Sequence, residues 1–494
     1  MRAPCVGLHV LASAFTAIVL TSCAAGPLPP IGPSGADDTP AAGGVVRDYQ
    51  LTAEPATLEL EPGIQVRAWT FNGTSPGPEL RATVGDVLRV RLRNRLPVGT
   101  TIHWHGLDVP YGQDGVAGVS EDAIPPGGNA VYSFRLDHAG TYWYHSHQDS
   151  ATQVDRGLYG VLLVLPRGVA EAVLDRTLVY DEWPIGLEAS RPPAQADVAM
   201  RSYITTTVNG RTGSAVEPIA TIPGQLVRLR LVNAGYQEHY VESPVPVTVV
   251  SLDGHELTGG APTADAIPLG PGERVDVLLV APARSFSLRL VGAFPPDRDA
   301  AQPFSSSGGG VAIPEPASHQ LLDLLAYPGA AADDPWPGGA KADKKFNLIL
   351  SETPVGSGSP MGPMPGMAGM DGVRYQVDGG TFPATPVLRV VKGDLVEITF
   401  LNQGNQEHWM HLHGHFFRVL DRDGVQLPGR LVKDTVSVAP GHTVTIAFRA
   451  DNPGWWMIHC HQLLHAAGGM MALIAYQGVP RLANLGGAYA NSPD

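Results

Sequence analysis

Cysteine is scarce in this chain, which has three cysteines in 494 residues. Cys5 and Cys23 lie in the N-terminal segment, so Cys460 stands alone in the rest of the chain, and an internal disulfide is excluded there. A free thiol outside the cytoplasm is readily oxidised unless something holds it. A bound metal ion would protect Cys460.

Basic residues and long helical patterns are also few. Lys and Arg number 33 against 47 Asp and Glu, giving a formal net charge of −14. This balance argues against a nucleic-acid partner, because a phosphate backbone requires a basic surface. Short β-branched runs, interrupted by 58 glycines and 45 prolines, are instead abundant. They predict an all-β protein made of β-sandwiches.

The N-terminus has the pattern of an export signal. Arg2 precedes an apolar run at 6–20 that is short for a membrane span and ends in LTSC at 20–23. This end resembles a bacterial lipoprotein signal, in which Cys23 becomes lipidated; an ordinary signal peptide with a chance cysteine is the alternative. We therefore expect a signal peptide at 1–22, a disordered linker at 23–45, and an extracytoplasmic protein, periplasmic or at the cell surface, anchored through Cys23.

The chain repeats its own sequence. VGDVLRVRLRN (84–94) matches KGDLVEITFLN (392–402), and the same shift of 308 residues carries IHWHG (102–106) onto MHLHG (410–414). The segment ending in HSH (145–147) matches the segment ending in HCH (459–461) at a shift of 314. A weaker copy without paired histidines lies between them, at 222–233 and 269–280. We therefore predict three β-sandwich domains, at 46–168, 169–335 and 340–478, followed by a tail at 479–494.

Four His-x-His pairs carry the candidate chemistry: His103/His105, His145/His147, His411/His413 and His459/His461. On a strand, alternate side chains share a face, so each pair presents two imidazoles in one direction. Imidazole is a good ligand for copper, zinc and iron. Eight imidazoles exceed the needs of one ion, so we expect a metal cluster shared by the first and third domains.

Cys460 lies between two of these histidines, so on a strand it points to the opposite face, into its own domain. His408, His465 and Met470 are available there. Two imidazoles, a thiolate and a weak thioether are the ligand set of a blue-copper electron-transfer site. The matching positions of the first domain are Thr100, Ser146, Ala151 and Arg156, so that domain has paired histidines but no blue site.

These motifs resemble the four copper motifs of the multicopper oxidases, a laccase-like family with three cupredoxin domains. The resemblance covers nearly the whole mature chain and implies four coppers: one type 1, one type 2 and two type 3. It assigns His408, Cys460, His465 and the axial Met470 to type 1, and His103 and His411 to type 2. The two type 3 coppers would be bound by His105, His145 and His461, and by His147, His413 and His459.

The family couples four one-electron oxidations of a reductant to the reduction of O2 to water. The resemblance therefore implies an enzyme, expected to act as a monomer, with O2 and a small phenol or aromatic amine as reactants. Asp114 matches a proton-relay aspartate of bacterial members; its alternative is a turn residue in YGQDG. Bacterial members often carry a glutamate directly after the last type 1 histidine, but this chain has Ala466, so another acid or a water chain is needed.

A second reductant is Cu(I), in copper homeostasis. Thioethers prefer Cu(I), and methionines recur every three residues before the third domain: Met361, Met364, Met367 and Met370. A low-complexity linker is the alternative for this segment. Glu407, next to His408, is either a substrate-orienting or a solvated residue. We interpret six other histidines as structural: His138, His239, His255, His319, His415 and His442.

Two non-laccase classes fit less well. An electron carrier or copper store would need one cupredoxin domain and no cluster histidines, and copper-free structural relatives lack the ligands found here. Copper nitrite reductases share the blue site but resemble a two-domain plan without the complete cluster set.

Overall fold

The computed structural model describes residues 39–168, 173–183, 205–258, 263–292, 300–316, 318–331, 333–336, 339–354 and 373–494. This part of the chain is almost entirely β-structure, which confirms the all-β prediction. The short α-helices in it are α1 (Ser150–Gln153) and α2 (Leu463–Ala467). Isolated 3₁₀ turns lie at Tyr111–Gln113, Gly213–Ala215, Leu324–Ala326 and Gly487–Tyr489.

The first group of strands forms two sheets, in the orders β2-β1-β4-β6 and β3-β8-β7-β5. Residues from both sheets, among them Trp104, Tyr132 and Phe134, share one buried core. The strands of this group are β1 Val46–Glu61, β2 Ile64–Phe71, β3 Leu80–Thr83, β4 Val87–Asn94, β5 His103–His105, β6 Asn129–Arg135, β7 Gly140–His145 and β8 Tyr159–Leu165.

The middle group forms one sheet whose main path runs β10-β9-β12-β16-β13-β17-β18-β11. Its strands are β9 Leu174–Trp183, β10 Thr205–Val208, β11 Ile219–Thr221, β12 Leu226–Asn233, β13 His239–Leu252, β14 His255–Thr258, β15 Thr263–Leu269, β16 Arg274–Val280, β17 Phe286–Gly292, β18 Ala300–Ser306 and β19 Ala330–Ala331.

The last group again forms two sheets, in the orders β21-β20-β23-β29-β25-β26 and β22-β31-β30-β24-β28. Its strands are β20 Lys344–Pro354, β21 Val373–Val377, β22 Val387–Val390, β23 Leu395–Asn402, β24 His408–Leu412, β25 Phe417–Arg422, β26 Val425–Gln426, β27 Val432–Lys433, β28 Thr435–Val438, β29 Thr443–Arg449, β30 Trp455–Cys460 and β31 Met471–Tyr476. The three groups follow the predicted order of domains, whose boundaries stay a prediction.

The internal repeat is visible as structure. Strands β4 and β23 begin and end at positions one repeat apart, as do β6 and β29. In the first copy β4 pairs antiparallel with β6, and in the third copy β23 pairs antiparallel with β29 in the same way. Strand β4 and its counterparts β12 and β23 each end at a buried asparagine: Asn94, Asn233 and Asn402. In each copy its amide donates to two carbonyls and its side-chain oxygen accepts a backbone N–H two residues later. This bonding satisfies the buried polar groups where the chain leaves the strand.

The predicted tail is not separate from the fold. Asn491 donates to Asp122 and accepts from the Ala123 N–H, and the Ser150 hydroxyl donates to the Pro493 carbonyl at 2.6 Å. The last residues therefore pack against the first group of strands. No helix in the described ranges is long and apolar enough to cross a membrane. The predicted signal at 1–22, Cys23 and most of the linker lie outside the described residues.

Candidate metal centres

Each His-x-His pair lies on a hydrogen-bonded strand or runs over its end, in two matching places. His103 is directly opposite His145 on strands β5 and β7, and His411 is directly opposite His459 on β24 and β30. Antiparallel pairing sets such side chains side by side on one face. Each of the two copies therefore presents four imidazoles as one unit.

The two units meet in a buried cluster. Ligand atoms within 4.8 Å of one another occur in the sets His105/His145/His461, His147/His413/His459 and His103/His105/His411. Each set mixes histidines of the first and third groups of strands. The first two sets match the expected type 3 ligands. The third contains the expected type 2 pair, together with His105.

Backbone carbonyls orient most of the cluster imidazoles. In five of them Nδ1 lies 2.9 to 3.0 Å from a carbonyl oxygen: His103 with Asp114, His145 with Ser146, His147 with Pro493, His411 with Asp434 and His459 with Cys460. A proton on Nδ1 satisfies the carbonyl and leaves the Nε2 lone pair for the centre.

His105 is held in the opposite sense. Its Nε2 lies 3.1 Å from Asp434 Oδ1, which leaves Nδ1 buried and without a hydrogen-bond partner in the described structure. Asp434 in turn forms an ion pair with Arg274 of the middle group, whose Nη1 donates to Asp434 Oδ1 at 2.8 Å. This Arg–carboxylate–imidazole chain fixes the His105 tautomer, as partners of metal-binding histidines commonly do.

The buried nitrogens fit metal ions. Burial lowers the pKa of most cluster histidines well below the usual 6.5, and nearby imidazoles add to this: His105, His145, His147, His413, His459 and His461. These rings are therefore neutral at pH 7. Several of their nitrogens have no hydrogen-bond partner among the described residues, among them Nε2 of His145, His147 and His461. Neutral imidazoles with convergent lone pairs suit copper.

Cys460 lies on the other side of the same strand. Its Sγ is 3.8 Å from His408 Nδ1 and 3.6 Å from His465 Nδ1, and those two nitrogens are 3.1 Å apart. His459, one residue earlier, instead belongs to the cluster. The strand therefore sends the thiol and the neighbouring imidazoles to opposite faces, as the alternation of β-structure requires.

The surroundings of Cys460 are apolar. Burial raises the pKa of its thiol to about 12, so a cation is needed to hold the thiolate at neutral pH. Met470 is fully buried in the same core, and its carbonyl accepts from the Cys460 N–H. His408 Nε2 lies 3.0 Å from Glu352 Oε1, and His465 Nε2 lies 2.8 Å from Gln406 Oε1.

Asp114 is both a turn residue and a neighbour of the cluster. It follows the 3₁₀ turn at Tyr111–Gln113, and its carboxylate oxygens lie 3.2 Å from His103 Nδ1 and 3.1 Å from His413 Nδ1. Glu407 accepts a hydrogen bond from Ser437. The segment with Met361, Met364, Met367 and Met370 lies outside the described residues.

The remaining histidines pair with acids or a tyrosine rather than with the clusters. Their partners are Asp108 for His138, Glu182 for His239, Asp333 for His255, Glu242 for His319, Tyr476 for His415 and Asp423 for His442. These contacts agree with structural roles.

Sequence reasoning missed three contributors. Asp434 and Arg274 come from separate groups of strands, and Pro493 provides only a carbonyl. The middle group has no paired histidines, but its Arg274 contacts Asp434, which holds His105. The available signal for Asp434 was the acid in the run KDT at 433–435, which lies between β27 and β28.

Comparison with known proteins agrees with this geometry. Family models described as multicopper oxidase match residues 52–168 and 363–478. The multicopper oxidase MmcO of Mycobacterium tuberculosis is 29% identical over 472 residues, covering 86% of this chain and 86% of its own. Laccase-1 of Melanocarpus albomyces is 29% identical over 493 residues, covering 86% of this chain and 78% of its own.

Solved structures show the same fold. A multi-copper oxidase from Pseudomonas thermotolerans superposes with a TM-score of 0.64 at 28% identity, covering 88% of this chain and 100% of its own. Fet3p, described as functioning in iron import, gives a TM-score of 0.74 at 20% identity, covering 90% of this chain and 94% of its own. Together with the histidine clusters, these findings show that the chain belongs to the multicopper oxidase family and is a copper-dependent oxidoreductase that uses O2 as electron acceptor.

Proposed function

We propose that this enzyme is laccase-like and oxidises phenols and aromatic amines at a type 1 site made by His408, Cys460, His465 and Met470. The proposal is carried by the group of His408, Cys460 and His465, whose ligand atoms lie together, in a chain similar to several proteins named laccases. Beside this group the buried Tyr375 ring stacks on His465 with centroids 4.2 Å apart and planes inclined by 21°.

In this proposal the metal ligands are those that the resemblance implies: His103 and His411 for type 2, and His105, His145, His461, His147, His413 and His459 for type 3. When bound, copper supplies one-electron oxidation at the thiolate site and reduction of O2 at the cluster. The protein's part is to keep the imidazoles neutral and oriented. We assign Asp114, which contacts His103 and His413, the exchange of a proton near the cluster.

A second candidate reductant is Cu(I), because two acids lie next to His408. Glu352 Oε1 lies 3.0 Å from the His408 Nε2, and Glu407 precedes His408 in the chain. Carboxylates around the site attract cations. This reading also assigns Cu(I) delivery to Met361, Met364, Met367 and Met370.

The test compares kcat/KM for a methoxyphenol and for Cu(I) on the copper-loaded mature enzyme. The laccase-like proposal expects the phenol to be the better substrate, and deletion of 360–371 to leave phenol oxidation intact. A higher value for Cu(I), lost on that deletion, would favour the cuprous oxidase instead.

We also propose that the enzyme is a monomer held at a membrane surface by lipid on Cys23. The mass of the mature N-terminus tests the anchor, since an unmodified Cys23 or cleavage elsewhere contradicts it. Sedimentation of the detergent-free Cys23→Ser protein tests the oligomeric state.

A further inference from the structure

Glu121 is a buried acid that the copper assignment does not use. It lies in the loop after Asp114, and only 5% of it is exposed. Its Oε1 accepts a hydrogen bond of 2.6 Å from the Tyr132 hydroxyl, whereas Oε2 has no hydrogen-bond partner among the described residues. An ionised carboxylate is costly in such a place, so the neutral acid is favoured.

The loop that carries Glu121 is hydrogen-bonded to the segments that contain the cluster histidines His103 and His147. The Tyr132 hydroxyl, bonded to Glu121, accepts from the N–H of Ile102, the residue before His103. The Ala117 N–H donates to the His147 carbonyl, and the Gly118 N–H donates to the Glu121 carbonyl. Glu121 is therefore held by short hydrogen-bonded links to the start of the strand that carries His103 and to the backbone of His147.

The groups that act on Glu121 favour its protonated form. Burial is the main cause that raises the pKa of Glu121 to about 8, and the negative charges of Asp114 and Asp122 add to it; the Tyr132 hydroxyl opposes them. Asp122 is exposed, while Asp114 contacts His103 and His413. Glu121 thus has one acidic neighbour at the surface and another at the cluster.

We propose that Glu121 donates protons for the reduction of O2 at the cluster, in a chain where Ala466 occupies the position expected to carry an acid. Reduction of O2 to water takes up protons and electrons in equal number. The reductant supplies the electrons, and the Glu121 carboxyl releases a proton to the oxygen that becomes water. The carboxylate then takes its next proton from solvent on the Asp122 side. The proposal does not depend on which reductant is natural.

The test is Glu121→Gln in the copper-loaded full chain. Glutamine keeps the size and the oxygen that accepts from Tyr132 but has no acidic proton. We expect O2 consumption at saturating reductant to fall about 10²-fold, and the alkaline limb of the pH profile near pH 8 to disappear. Anaerobic reduction of the enzyme by the same reductant should keep its rate, and copper content should be unchanged.

Two further measurements do not use turnover. A protonated-carboxyl infrared band should vanish as the pH passes about 8 in the native chain and be absent in Glu121→Gln. Because folding raises the pKa of Glu121 from 4.5 to about 8, the folded state binds more protons than the unfolded state between these two pH values. The free energy of unfolding should therefore fall as pH rises through this range, and less so in the variant.

Asp494→Asn is the matched control, since Asp494 is a buried acid whose pKa burial also raises to about 8. Glu121→Asp, which keeps an acid, should restore part of the rate. An unchanged rate and profile in Glu121→Gln overturns the proposal. So does a loss that is uniform across pH, or a profile that changes only in Asp494→Asn.

Discussion

The type 1 position of the third group of strands and its counterpart in the first share a scaffold but differ in chemistry. In the third, the thiol of Cys460 faces ring nitrogens of His408 and His465. In the first, the matching residues Ser146 and Thr100 lie 3.2 Å apart, and both hydroxyls donate to the Gln153 side-chain oxygen at 2.7 and 2.8 Å. All of these side chains are buried.

The difference shows how the same scaffold satisfies this buried position with hydrogen bonds in one copy and offers metal ligands in the other. Gln153 satisfies both hydroxyls and donates its own amide to the Gly99 carbonyl at 2.8 Å. The first position is therefore closed by neutral hydrogen bonds and offers no soft ligand. The third is left with a thiol and two lone pairs that a cation satisfies. Both copies keep their cluster histidines.

Cys460→Ser gives the third position the side chain of the first, and we expect the largest effect from it. Losing the thiolate should abolish the blue absorption and oxidase turnover, and lower the copper content by about one ion per chain. Visible spectra and metal analysis check this. Loss of all copper would show that the blue site and the cluster are not independent.

Arg274→Met tests the support that the middle group gives to the cluster. It leaves Asp434 buried without its main cation, which should cost about 3–5 kcal/mol of unfolding free energy. Because Asp434 holds His105, cluster copper affinity should fall about 10–100-fold. Denaturant unfolding and copper titration measure both.

The double variant Arg274→Met with Asp434→Asn is the control, since it removes both buried charges. Its stability should recover relative to Arg274→Met alone. If Arg274→Met binds copper as tightly as the native chain, the proposed orientation of His105 through Asp434 is wrong.

Gln153→Ala and Gln406→Ala test the hydrogen-bonded position of the first group and the blue site of the third group separately. Removal of Gln153 leaves buried hydroxyls unsatisfied and should cost about 1–3 kcal/mol of stability while the blue spectrum stays the same. Removal of Gln406 frees His465 Nε2 and should shift the absorption maximum and potential of the blue site at about 1 kcal/mol of stability cost. Unaltered blue-site spectra in both variants would contradict a tuning role for Gln406.

His239→Gln concerns the middle copy and should have the smallest effect on copper. His239 follows Asn233 at the spacing by which His408 follows Asn402, but it pairs with buried Glu182. Copper content and blue absorption should be unchanged, although stability falls. Loss of an ion would mean that the middle copy also binds metal.

The cluster was predictable because its ligands occur in pairs at strand spacing and recur one repeat apart. The blue site followed instead from strand alternation, which sends Cys460 to the face opposite its neighbouring histidines; the repeat did not predict it, because the first copy lacks its ligands. Asp434, Arg274 and the Pro493 carbonyl were not predictable, because single residues and backbone atoms carry no periodic signal. Gln153 was missed because its role appears only once the Thr100 and Ser146 hydroxyls are known to face it. The positions of Met361 to Met370 stay a prediction.

The amino-acid sequence alone determined the β-structure, the repeat and which side chains carry the metal chemistry, because alternation along a strand assigns each residue to a face. Only the tertiary structure decided which ring nitrogen each histidine offers and which acids lie beside the clusters. Those properties depend on hydrogen-bond partners and burial contributed by distant segments, as when Arg274 reaches Asp434.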